Sequence, residues 1–278
     1  MQAIAEFAMR SRAHAIGTSL VAGVLPLLGW LSLVIVALVY LRQGLMAGSM
    51  VLLWTMLPFG IQTYIVGDPT VLSLVGIFLL AGLLRLTLSW EMVLMMAVFY
   101  SAIAGLLFEL VALDKFLSVY SAYLEILEMP TALTATELRV VIANSVMILV
   151  AYGMIAMLLL ARWCQAGLYN PGGFKKEFHQ IRLSPVAGGI TLVALIACYS
   201  LDDLLGRWLP LLTVPLVIAA LAFVHWLMAS RQLSTRWIVG FYFTLLLFGQ
   251  LVYPFLILLG LMDSALNLRN RLQPTQKD

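Results

Sequence analysis

The chain has 278 residues, 63% of them hydrophobic and only 10% charged, which leaves too little polar surface for a water-soluble domain. A net charge of +3 excludes the dense basic footprint of a nucleic-acid partner. Two cysteines and three histidines, all far apart, supply neither a disulfide framework nor a metal site, and no cofactor is expected.

Eight apolar runs follow one another, over residues 13–41, 44–66, 69–84, 92–112, 140–161, 183–201, 208–230 and 237–262. Crossing a hydrocarbon core takes roughly 20 apolar residues as helix, and only helices or closed barrels satisfy their backbone there. The runs are continuous rather than alternating, which excludes a barrel. The predicted fold is all-α, a polytopic transmembrane bundle of about eight helices forming a single integral membrane domain over residues 1–278, with the lipid bilayer as its surroundings.

Arg10 and Arg12 precede the first run, which is too long for a signal peptide and has no cleavage site, so it reads as an uncleaved anchor. It holds Pro26 and Gly29 near its middle. Two outcomes are open: one long kinked helix, or two short segments and nine helices in all. The distribution of Lys and Arg favours the second. Arg162, Lys175, Lys176 and Arg182 face only Glu177, which makes residues 163–184 a cytoplasmic basic loop. Asp114, Glu125, Glu128 and Glu137 against Lys115 put residues 113–137 outside, as an amphipathic connection interrupted at Pro130. Counting back puts Arg85 and Arg42 inside, and Arg10 and Arg12 join them only if residues 13–41 cross an even number of times or not at all. Counting forward puts Asp202 and Asp203 outside and Arg231 and Arg236 inside. The polar tail 265–278 should then lie outside, against the charge of Arg269, Arg271 and Lys277. Pro254 and the Gly260–Asp263 stretch could bend the last run so that it does not cross.

Ionisable and polar groups inside spans are costly and point to function by default. Gln62, Glu109, Asn144, His225 and Gln250 are the candidate ligand-binding set, provided they converge; otherwise they are interhelical glue, worth about 0.6–2 kcal/mol each. Arg85 and Glu91 flank Trp90 and are a candidate gate, or an interfacial loop pair. Small residues recur at four-residue spacing in Ala13/Gly17, Ser19/Gly23, Gly44/Gly48 and Ala97/Ser101/Gly105, a pattern that serves internal packing or a partner membrane protein. No phosphate-binding glycine loop, HExxH or GxSxG is present, so no catalytic residue and no enzyme activity is expected.

The segment Trp163-Cys164-Gln165 through Leu168-Tyr169-Asn170-Pro171-Gly172-Gly173-Phe174, with Glu177-Phe178 and Arg182-Leu183, resembles the proteobacterial branch of the YybS-like membrane family (domain of unknown function 2232). The ending Gly260-Leu261-Met262-Asp263-Ser264, Leu266-Asn267 and Arg269 is similar to that family's C-terminal pattern. The resemblance implies a bacterial inner-membrane protein of about eight helices. It also implies a distant likeness to the substrate-binding components of energy-coupling-factor transporters. The expected function is binding of a small or lipid-like ligand within the bundle, as a transport component; the alternative is a scaffold of a cell-envelope complex.

Overall fold

A computed structural model describes residues 1–25, 27–128 and 133–272. Pro26, Pro130 and Lys277, on which three of the expectations above rest in part, lie outside these ranges. All eight predicted runs are helical, and the first is two helices rather than one. About eight is an undercount, because short helices also form between and outside the runs. Six helices are long and apolar enough to cross a membrane, and two further apolar helices are shorter. The described chain divides into two compact units, Met1–Gly172 and Gly173–Asp278. Their border is the Asn170–Gly173 turn, where Gly172 takes φ +82 and Pro171 cannot extend the preceding helix.

The first unit contains α1 (Gln2–Met9), α2 (Arg12–Val24), α3 (Gly29–Gln43), α4 (Leu45–Val66), α5 (Thr70–Thr87), α6 (Trp90–Val111), α7 (Leu113–Ile126) and α8 (Ala135–Tyr169). Helix α2 starts on a Ser11 side-chain cap and stops at Leu25, whose backbone is extended. The chain then reverses through Leu27, at φ +66, and α3 packs back along α2. At ~1.5 Å per residue the two helices are only ~20 and ~22 Å long, short of a ~30 Å core. Every residue of α3 from Leu31 to Leu41 is buried, because α2, α4, α5 and α8 surround it. The tip of this hairpin is apolar and uncovered: Leu27 is 92% exposed and Val24 68%. Such a tip suits hydrocarbon and not water. The pair is a helical hairpin, which returns Arg42 toward the end of α2 where Arg12 stands.

The connection 113–137 is mostly helix. It consists of α7, then the first turn of α8, which opens on a capping box of Thr134 and Glu137. The run 140–161 is likewise longer than its apolar residues indicate. Helix α8 continues through Arg162–Tyr169, so the first part of the expected loop 163–184 is helical.

The second unit contains α9 (Gly173–Phe178), α10 (Pro185–Ser200), α11 (Asp202–Leu205), a 3₁₀ turn at Gly206–Trp208, α12 (Leu209–Ser230), α13 (Thr235–Leu266) and α14 (Leu268–Leu272). Helix α12 is its core: 61% of its most apolar stretch is buried, against 11% for α13. Helix α13 kinks at Phe248, where φ is −122 and ψ 29. Its neighbours along α12 show a reversal. Tyr242 meets His225 and Tyr253 meets Thr213, whereas Gly260 lies against the Leu216 carbonyl and Arg269 reaches the Ala219 carbonyl. The chain thus runs back along α12 and then returns toward the α12 C-terminus. Ser264 and Arg269 lie beside residues 179–184, and Arg269 stands at the same end of this unit as Lys176 and Arg182. The expected polar tail 265–278 begins as the end of α13 and α14, with Arg269 buried.

Candidate functional site

Two candidate residues hydrogen-bond to backbone carbonyls at the helix ends of the α2–α3 hairpin, where the Tyr40 carbonyl also accepts from Gly44 N–H. Gln62 Nε2, on α4, donates to the Gly23 carbonyl at the end of α2, at 2.8 Å. Arg85 Nη1, on α5, donates to the Tyr40 and Leu41 carbonyls at the end of α3, at 3.0 and 2.8 Å. A guanidinium at a helix C-terminus also complements the helix dipole. Between these staples, Ser32 Oγ donates to the Ser19 carbonyl at 2.8 Å, and Ser19 and Thr55 share a hydrogen bond of 2.7 Å across to α4. Gln62 and Arg85 are therefore hairpin caps. Ser19, Ser32 and Thr55 escaped sequence reasoning, since isolated Ser and Thr in apolar runs carry no pattern.

The remaining candidates divide between the two units. Glu91 stands in the first turn of α6, where a carboxylate suits the helix N-terminus. Glu109 lies near the other end of α6, and Asn144 is on α8, its Oδ1 buried with no hydrogen-bond partner among the described residues. His225 and Gln250 belong to the second unit. His225 Nε2 is 2.8 Å from the Tyr242 hydroxyl, and its ring meets Phe178 edge-on. Gln250 is exposed on α13.

Most of the small-residue pairs serve internal packing. A Cβ on Gly23 would stand 2.9 Å from Pro58 Cγ, and one on Gly48 2.9 Å from Tyr40 Cβ. Ala97, Ser101 and Gly105 are buried in α6. Gly44 turns the chain at φ +92, with Arg85 alongside. Only Ala13 and Gly17 remain exposed, and a Cβ on Gly17 would meet nothing within 4 Å.

That open space belongs to a groove of about 780 Å³ between α1, α2 and α3. Ile4, Phe7, Val21, Leu25 and Leu28 make its walls apolar along ~16 Å of α2, from His14 to the hairpin tip. One end is polar. His14 Nδ1 is 2.7 Å from Ser11 Oγ, the His14 ring packs edge-on against Phe7, and Arg10 and Arg12 are exposed nearby. The volume lies within the ~300–1,000 Å³ usual for small-molecule sites.

In the second unit the motif residues Asp263 and Arg269 form a buried ion pair, Arg269 Nε donating to Asp263 Oδ2 at 3.1 Å. Arg269 Nη1 donates to the His179 carbonyl and Nη2 to the Ile181 carbonyl at 2.6 Å. Burial pulls the Arg269 guanidinium below its ordinary value, Asp263 opposes this, and Arg182 adds like-charge repulsion. Ser264 Oγ donates to the Ser184 carbonyl at 2.8 Å, next to the Ser184 side chain that caps α10. The ending Asp263–Arg269 thus clamps the segment that leads into α10. Asn170, Pro171, Gly172, Gly173 and Phe174 form the turn between α8 and α9, with Phe174 stacked on Phe178.

No family model, no curated protein and no solved structure matches the chain.

Proposed function

We propose that this protein is a non-enzymatic component of a bacterial inner membrane that binds a lipid-like molecule laterally, in the α1–α2–α3 groove, as part of a transport process. The groove itself carries the reading. It joins a polar end at His14, with Arg10 and Arg12 exposed close by in the chain, to an apolar length that reaches the exposed hairpin tip, the division of an amphiphile. The earlier expectation of one ligand site shared by Gln62, Glu109, Asn144, His225 and Gln250 is not carried forward, since Gln62 is committed to Gly23. Membership of the YybS-like family, resting on the motif residues quoted above, belongs to the same proposal.

Gly17→Phe tests it, because the position has room for a ring. The variant should keep the native thermal stability and lose co-purifying lipid in native mass spectrometry of the detergent-extracted protein. Equal lipid retention by both proteins would refute the reading.

A second reading, a scaffold for an envelope complex, is favoured by the exposed Ala13/Gly17 pair, which would admit a partner helix into the same groove. Gly17→Phe would then abolish a protein cross-link while leaving lipid content unchanged.

A further inference from the structure

We infer that the second unit holds a binding site for a phosphate-bearing anion, in a cleft of about 520 Å³ between α9, α12 and α14. The proposal is independent of the groove described above. Lys176, Arg182 and Arg269 bring three cations to the cleft, with His179, Asn267 and Asn270 as further polar lining.

Arg269 forms the frame of the site. Its Nε is held by Asp263, and its two terminal nitrogens are held by the His179 and Ile181 carbonyls. By fixing residues 179–181 it sets the position of Arg182, the next residue in the chain. Arg182 differs from Arg269 in one decisive respect: its Nη1 is buried and finds no hydrogen-bond acceptor among the described residues. Leaving a donor of a charged group buried and unsatisfied is costly. An anion in the cleft meets the part of the Arg182 guanidinium that lines it, away from the buried Nη1, and screens the Arg182–Arg269 repulsion.

A phosphate fits this chemistry better than a carboxylate. Its several oxygens can meet the planar fork of Arg182, the point charge of Lys176 and the amides of Asn267 and Asn270 together. Asp263 does not line the cleft, but it offsets the charge of Arg269, so Lys176 and Arg182 supply the net attraction for an anion there. Glu177 is on α9 beside Lys176 and is likewise outside the lining. A lipid headgroup and a free phosphate present the same chemistry to these residues.

The test uses the full-length protein in neutral detergent and in nanodiscs. Inorganic phosphate is titrated calorimetrically. Phosphatidylglycerol retention is compared with that of phosphatidylcholine by native mass spectrometry. Arg182→Gln should weaken the bound probe about tenfold or more, as expected for losing a charge-assisted hydrogen bond, without lowering the melting temperature. Binding of inorganic phosphate identifies a free anion as the ligand; retention of phosphatidylglycerol alone identifies a headgroup. The proposal fails if neither probe binds, or if Arg182→Gln binds like the native protein. Should Arg182→Gln misfold, the exposed Lys176→Gln is held to the same criterion, with an expected loss of severalfold. Gly17→Phe should leave this affinity unchanged, which separates the site from the groove.

Discussion

Gln62 on α4 and Gly23 on α2 are 39 residues apart in sequence and joined by a 2.8 Å hydrogen bond. The bond closes the end of a helix that stops inside the apolar part of the molecule. A backbone carbonyl in apolar surroundings needs a hydrogen-bond partner, and here a side-chain amide supplies it.

Gln62→Leu should therefore destabilise the fold by about 1–2 kcal/mol, the net cost of an orphaned buried carbonyl. Detergent melting curves check this. A variant with native melting behaviour but no bound lipid would instead make Gln62 a ligand residue.

Arg85 closes the other end of the hairpin through a single nitrogen, Nη1, which donates to two carbonyls. Arg85→Gln should cost about 1 kcal/mol, and Arg85→Lys should recover most of it, because one ammonium nitrogen can likewise donate to two carbonyls. The same melting assay distinguishes this from a gating role, for which either variant would keep native stability and change flux alone.

Asp263 and Arg269 form a buried pair, and each single substitution leaves one charge without its counter-charge. Arg269→Met is expected to cost about 3–5 kcal/mol, and the double variant Asp263→Leu/Arg269→Met less than the single one. A double-mutant cycle by urea or thermal denaturation measures the coupling. Independent, additive effects would contradict the pairing.

His179 has its proton affinity lowered, by burial first and then by Lys175, His225 and Arg269. The folded state therefore takes up a proton less readily than the unfolded chain, whose histidines titrate near ~6.5. Stability from this source is complete above that value and is lost as pH falls through the lower folded value. Melting temperature should decline on acidification below pH ~6.5. His179→Gln should flatten that decline while keeping the backbone carbonyl that Arg269 uses. An unchanged slope in the variant would assign the acid sensitivity elsewhere.

Local signals in the chain were read with profit where one stretch of sequence carried the whole cause. The eight apolar runs are helical because uninterrupted apolar residues have no other way to meet a bilayer. The Asn170–Gly173 turn is where the two units part, because Pro171 and Gly172 break a helix by themselves. Charge counting also identified the first run as broken, since Arg10, Arg12 and Arg42 had to share a side. It likewise exposed the inconsistency at Arg269 and Arg271. Helix α8 was underestimated for the converse reason: Arg162–Tyr169 is polar enough to look like a loop but contains nothing that stops a helix before Pro171.

Composition and pattern thus determined the helical class, the membrane setting and the places where the chain must bend, since each follows from interactions within a turn or two of the backbone. Tertiary structure alone decided the partner of each polar side chain. Gln62 and Arg85 reach carbonyls 39 and 44–45 residues away, and Arg269 holds carbonyls 88 and 90 residues away. A side chain that satisfies a distant carbonyl and one that waits for a ligand are the same letters in a sequence. Only the fold separates Gln62, which has its acceptor, from Arg182, which has none among the described residues.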